Sequence, residues 1–136
     1  MASGKHDRDL GEWETLADSY LRYHAEKRKE DNWAYDELDD MVRKNPHDAL
    51  EVTLILLKKA GEDDSLLAYI AAGPLEDLLR LHGPDVIDQI EQEAKENSRI
   101  QLALSGVWGL HGLPVFDRWY ALMKKWGFAI GQRRAL

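Results

Sequence analysis

The chain contains no cysteine. That removes disulfides, thiolate zinc sites and cysteine nucleophiles together. A domain of 136 residues can do without them, because it buries roughly two-thirds of the surface of its unfolded chain. The absence also fits a reducing compartment, so a soluble, cytoplasmic protein is the expectation. Long apolar runs are missing too, which leaves no membrane span, and Met1 to Arg8 lacks the apolar centre of a signal peptide. No useful stretch alternates with period two, and no Asn-Gly or Asp-Gly pair marks a hairpin. Strands are therefore not expected.

Catalytic signatures are equally scarce. The serines are Ser3, Ser19, Ser65, Ser98 and Ser105, and Ser105-Gly106 is not set in a Gly-x-Ser-x-Gly elbow after a strand. No glycine-rich phosphate loop exists, since Gly106-Val107-Trp108-Gly109 lacks both the lysine and the spacing. His6, His24, His47, His82 and His111 never fall three or four apart, so no helix face offers a metal two imidazoles. Neither a metal nor a cofactor is expected. His24 lies on an apolar face and reads as a satisfied core or boundary residue. His82, just before Gly83, reads as a helix-end residue meeting free carbonyls.

What is present is helical periodicity. Leu10, Trp13, Leu16, Ala17, Tyr20, Leu21 and His24 recur at three- and four-residue steps, predicting a first helix from about Leu10 to Lys29. Asp31 or Asn32 can cap a second, whose inner stripe is Trp33, Ala34, Leu38, Met41 and Val42. Asn45-Pro46 closes that helix and opens a third, Pro46 to Ala60, with an apolar arc wide enough for a central position. A fourth runs from Ser65 to Ala72. Gly73-Pro74 and Gly83-Pro84 then read as a repeated device, glycine stopping one helix in the left-handed conformation and proline starting the next. The sixth helix would end near Lys95, Asn97 or Ser98 would cap the seventh, and the eighth would run from about Val115 to Trp126. The expected fold is all-α, a compact array of seven or eight short antiparallel helices, bundled or repeat-like, although no period of repeat length is found. One helical domain would span residues 10–126, between a disordered tail at 1–9 and a basic tail at 127–136.

The run Ala68-Tyr69-Ile70-Ala71-Ala72-Gly73-Pro74-Leu75-Glu76-Asp77-Leu78-Leu79, with His82-Gly83 and then Ala103-Leu104-Ser105-Gly106-Val107-Trp108, resembles a family of small bacterial proteins of unknown function. The resemblance covers roughly residues 30–110. It implies a soluble helical protein and carries no activity.

Net charge is −7, unevenly spread. Residues 1–115 hold 24 acids against 13 Lys and Arg, leaving −11, while residues 116–136 leave +4. An acidic body repels a phosphate backbone, so nucleic acid is an unlikely partner unless the basic C-terminus touches it. The acids concentrate at Glu30, Asp31, Asp36, Glu37, Asp39 and Asp40. They form either a solvated helix face or a surface that docks a basic partner. Glu76 and Asp77 suit the first turn of a helix, where carboxylates meet the positive end of the dipole, or alternatively a partner-binding edge. Trp119 and Trp126, near Lys124 and Lys125, are either core or an exposed contact patch. The leading expectation is a non-enzymatic protein-interaction module, for which an immunity- or antitoxin-like role fits. Its contacts would come from Asp36, Glu37, Asp39, Asp40, Glu76, Asp77, Trp119 and Trp126. The alternative is an enzyme or small-ligand binder with an inter-helix pocket near Glu76, Asp77, His82 and Trp108.

Overall fold

The computed structural model describes the backbone of residues 2–128 and the side chains of residues 11–128. Every regular element among them is helical: α1 (Ala2–Glu26), a short 3-10 turn (Lys29–Asp31), α2 (Asn32–Lys44), α3 (Pro46–Ala60), α4 (Asp64–Ile70), a π turn (Ala71–Leu75), α5 (Glu76–Lys95), α6 (Ser98–Ser105) and α7 (Phe116–Lys125). None of these helices is long and apolar enough to cross a membrane.

The first helix starts at Ala2 and not near Leu10, so residues 2–9, expected to lack regular structure, continue it. Once the packed segment has nucleated a helix, each further residue adds a hydrogen bond and fixes only its own dihedrals. Helix α3 has the boundaries its sequence implied and lies at the centre, touching α1, α2, α4, α5 and α6. Its Ala49, Leu50, Val52, Leu54, Leu56, Leu57 and Ala60 are all buried. Thr53 is buried among them because its hydroxyl donates back to the Ala49 carbonyl at 2.8 Å. Lys59 ties this helix to α1 at the surface, reaching Glu14 at 2.9 Å and Asp18 at 3.2 Å.

The expected double corner is present as two kinks, at Gly73 and His82, where the backbone leaves helical dihedrals. Helical hydrogen bonding carries on across both from Asp64 to Lys95, so six helical bodies are counted among the described residues and not seven or eight. Gly73 does not adopt the left-handed conformation; its φ is −102° and its ψ −108°. A proline inside a helix lacks one N–H and crowds the carbonyl four residues back. The wider π turn moves that carbonyl aside, so the helix bends at Pro74 and continues. The second bend falls at His82, with φ −136° and ψ 25°, two residues before Pro84.

Gly83 has a different reason to be glycine. It is buried, and a Cβ there would lie 2.3 Å from the Cβ of Val115. The residue opening the approach to α7 is thus seated directly on the backbone of α5. Three further anchors fix α7. Its Trp119 is fully buried and donates from its indole nitrogen to the Leu104 carbonyl at 2.9 Å. Arg118 reaches Asp88 and Glu91 of α5, both at 2.8 Å. At the far end Gly127, with φ +84°, lets Phe128 donate back to the Met123 carbonyl at 2.9 Å, closing the helix as a Schellman motif.

Gly83→Ala should therefore destabilise the fold by about 1–3 kcal/mol, the usual cost of overpacking. Adding Val115→Gly should recover part of the loss, because it removes the colliding Cβ. Urea midpoints of the two variants check this, and a Gly83→Ala protein of unchanged stability contradicts the close approach.

Candidate functional site

A polar concavity lies where α1, α2 and the bent α4–α5 body meet. It is a cleft of about 230 Å³. Tyr20 of α1, Tyr35 of α2 and Tyr69 of α4 form its aromatic walls, Leu38, Val42 and Pro74 its apolar ones, and Asp39 and Asp77 supply carboxylates. The bend at Gly73-Pro74 borders the cleft directly, so the π turn shapes one of its sides.

Tyr20 lies close to both of the other rings. Tyr20 and Tyr35 stack with centroids 6.0 Å apart and planes within 9°, and Tyr69 tilts against Tyr20 at 6.2 Å. His24 stacks on Tyr69 at 3.8 Å, while its Nδ1 is buried without a hydrogen-bond partner in the protein. It is therefore a packing residue at the edge of the core. Tyr20 is almost wholly buried and Tyr35 is 47% exposed, so the cluster runs from the core to the surface. Burial pushes the Tyr20 phenol far above its ordinary range, with Tyr69, Tyr35 and Asp77 adding to the effect.

Asp77 is the electrostatic centre of the cleft. Burial raises its carboxyl above the ordinary range, and the Asp39 carboxylate raises it further, while Arg80 and Arg43 pull it back. No described residue donates a hydrogen bond to its carboxylate or pairs with it. A second cavity of about 470 Å³ continues past Asp39, Val42 and Asp77 to Arg43, Arg80, Leu81 and His82. A third, of about 460 Å³, lies between α1 and α2 against Trp13, Trp33 and Glu37.

The polar residues expected around one pocket divide into two pairs. Asp77 and His82 share the lining of the second cavity. Glu76 instead accepts from the Trp108 backbone N–H at 2.9 Å, holding the segment after α6 against the start of α5. Glu76 and Asp77 do occupy the first turn of α5. His82 stands at the second kink, where the helical dihedrals break, and its Nε2 is buried without a partner in the protein.

The acidic run is largely answered by neighbouring cations. Asp31 is buried and takes two bonds from Arg22, at 2.8 and 3.1 Å, so it is not free to cap α2. The Arg22 guanidinium holds its carboxyl below the ordinary range. Glu30 pairs with Arg28, Asp39 with Arg43 and Asp40 with Lys44. Among the described residues, no cation pairs with Asp36 or Glu37.

The aromatic expectations need correction. Trp119 is core and not an exposed contact, and Trp126 is part-buried against the same core. Residues 119, 122, 123 and 126 share one helical face, which docks inward because the Trp119 indole finds a carbonyl there. Trp33, placed on the inner stripe, is 45% exposed, since the buried stripe is Ala34, Leu38, Met41 and Val42 and position 33 is turned about 100° away. The other strongly exposed tryptophan is Trp108. Residues 129–136, which hold most of the expected basic tail, lie outside the described residues.

A family profile matches residues 22–122, three-quarters of the chain. The chain belongs to the Family of unknown function (DUF6869). No curated protein and no solved structure matches it. The matched span takes in Tyr35, Asp39, Tyr69 and Asp77 and begins just after Tyr20, and it is wider at both ends than the resemblance read from the motif. The three tyrosines were missed as a site because each comes from a different helix; the only local signal is the i, i+4 spacing of Tyr35 and Asp39, which sets both on one face of α2.

The sign of the Asp77 shift carries a stability consequence. A carboxyl raised in the folded state keeps a proton that the unfolded chain has already released, so its contribution to stability falls as pH rises through the interval from the ordinary value to the raised one. Asp77→Asn removes the charge without changing shape. The variant should melt above the wild type at pH 7, and the difference should vanish below about pH 3.9, where both carboxyl forms are neutral. Melting temperatures by circular dichroism across that range check it; a variant less stable at pH 7 contradicts the reading.

Proposed function

We propose that the chain is a non-enzymatic protein-interaction module. It holds a basic segment of another protein along the groove between α2 and the bent α4–α5 body. The observation that carries this reading is the convergence of Asp39 and Asp77 on a tyrosine-walled cleft, with no protein cation bonded to Asp77. Carboxylates held together and partly out of water raise each other's energy, and a docked cation relieves both. Asp36 and Glu37 stand on the same helix, exposed, where they steer a basic partner toward the cleft. An immunity- or antitoxin-like role belongs to this class, with a basic target. The alternative, an enzyme or small-ligand binder using Glu76, Asp77, His82 and Trp108 together, is weakened by the separation of Glu76 and Trp108 from Asp77 and His82.

The test is a titration of the full chain with a synthetic peptide rich in lysine and arginine at physiological salt. Joint Asp36→Lys and Glu37→Lys substitution should weaken binding by about tenfold, chiefly through slower association. Glu62→Lys with Glu96→Lys, at exposed positions that line none of the three cavities, should leave it near the wild-type value. Equal losses in both variants mean diffuse charge attraction and sink the proposal, as does an intact chain that does not bind.

A further inference from the structure

The oxygens of the cleft decide what it can hold. Asp77 brings a carboxylate that no described residue bonds. Asp39 brings a second, whose exposed i, i+4 pair with Arg43 at 3.3 Å is of a kind worth little. The phenols of Tyr20, Tyr35 and Tyr69 add oxygens that accept as well as donate. Tyr20 Oη stands 3.6 Å from where a Cβ on Gly73 would lie, and Gly73 borders the cleft. Burial, then the Tyr69, Asp39 and Asp77 groups, raise the Tyr35 phenol above its ordinary range. The Tyr20 phenol likewise feels Tyr69, Tyr35 and Asp77 after burial. The polar ends of all five side chains thus lie within electrostatic reach of one another. Leu38, Val42 and Pro74 complete the lining.

A negatively charged space rich in acceptors selects among cations by their donors. A bare metal ion needs several oxygen or nitrogen ligands, and no three His, Asp or Glu side chains converge among the described residues. A primary ammonium brings three N–H donors, but it is compact, strongly hydrated and costly to strip of water. A guanidinium brings five in one rigid plane, meets a carboxylate with two parallel bonds and sheds its weaker hydration more readily. Its aliphatic stem suits apolar neighbours such as Leu38 and Val42. The chain makes this match itself, Arg22 taking both oxygens of buried Asp31 at 3.1 and 2.8 Å. Arg43 and Arg80 line the adjoining cavity and bond no atom of Asp77, so the match is not made there. The cleft's volume, about 230 Å³, falls below the ~300–1,000 Å³ of an ordinary small-molecule site and suits one long side chain.

We propose that this cleft receives one arginine side chain of the partner protein, its guanidinium bonded by Asp77 and Asp39 and by the tyrosine hydroxyls around them. The inference rests on the reading of the groove as the binding site of a basic segment and names the residue that anchors that segment. Asp77, which lacks a cation of its own, takes the guanidinium fork, and Tyr35, exposed on α2, stands where the side chain enters. Lysine in the same place leaves more of these oxygens unanswered, so the segment is selected for arginine and not for positive charge alone.

N-acetyl-arginine methylamide is the probe, titrated into the full chain at constant ionic strength while backbone amide resonances of the nitrogen-labelled protein are followed. The expected result is saturable shifts at Tyr35, Asp39 and Asp77. The lysine analogue should bind about tenfold more weakly, and the citrulline analogue, which keeps the outline without the charge, should not bind. Asp77→Asn should weaken the probe by about tenfold, the scale of one hydrogen bond to a charged group. Tyr35→Phe, which removes only the hydroxyl, should weaken it about threefold. Far-ultraviolet circular dichroism shows whether each variant is folded. The proposal is overturned by shifts that never saturate, by the lysine or citrulline analogue binding as well as the probe, or by a folded Asp77→Asn variant with unchanged affinity. If the probe fails while the basic peptide still binds through Asp36 and Glu37, the arginine receptor falls and the interaction module stands. If the probe binds and the peptide does not, the guanidinium chemistry stands and a protein as its source falls.

Discussion

A helix can carry a proline through its interior only if the carbonyl that loses its partner is moved out of the ring's way. The body from Asp64 to Lys95 does this twice, at Pro74 through a π turn and at Pro84 through the bend at His82. Much of the rest follows from those two bends. The first aligns Tyr69 on one side and Asp77 on the other with the same space beside α2. Near the second, Gly83 offers bare backbone to Val115, and α7 follows with Trp119 in the core. A clean helix stop at either glycine would have released α5 from α4 and left the cleft without a fixed wall.

The cleft is held in an electrostatically unfavourable state. Several other carboxylates are answered: Asp31 by Arg22, Asp64 by Arg99, Asp88 and Glu91 by Arg118. Asp77 is partly buried beside another carboxylate, and no described residue bonds to it. Proteins accept such local cost where a ligand later relieves it, which is why perturbed carboxylates in concave, aromatic surroundings point to binding sites. Arg43 and Arg80 stand near enough to moderate the charge and still leave Asp77 without a partner.

Helix content and the central place of α3 were legible because they depend on periodicity, which is local. The Asn97 cap was legible for the same reason, its side chain accepting from the Arg99 backbone N–H two residues on. Trp119 was misjudged as a contact although its spacing with Leu122 and Met123 already described a core face. Asp31 was misjudged as a cap because its true partner, Arg22, comes from the preceding helix and competes for the same oxygens. The tyrosine cluster left no trace in the sequence, since Tyr20, Tyr35 and Tyr69 have no common spacing and meet only through packing.

By itself the sequence determined an all-helical chain with α3 innermost, an acidic body, the absence of thiol chemistry and the motif that marks its family. These follow from composition and from the 3.6-residue period, which act along the chain. Only the tertiary structure decided that the two Gly-Pro corners are kinks without the left-handed glycine, and that Gly83 yields to a valine thirty-two residues later. It alone set Asp77 among three tyrosines. A proline's effect depends on whether the surrounding packing can hold the displaced turn, and a carboxylate's on what other helices place beside it; neither quantity is local.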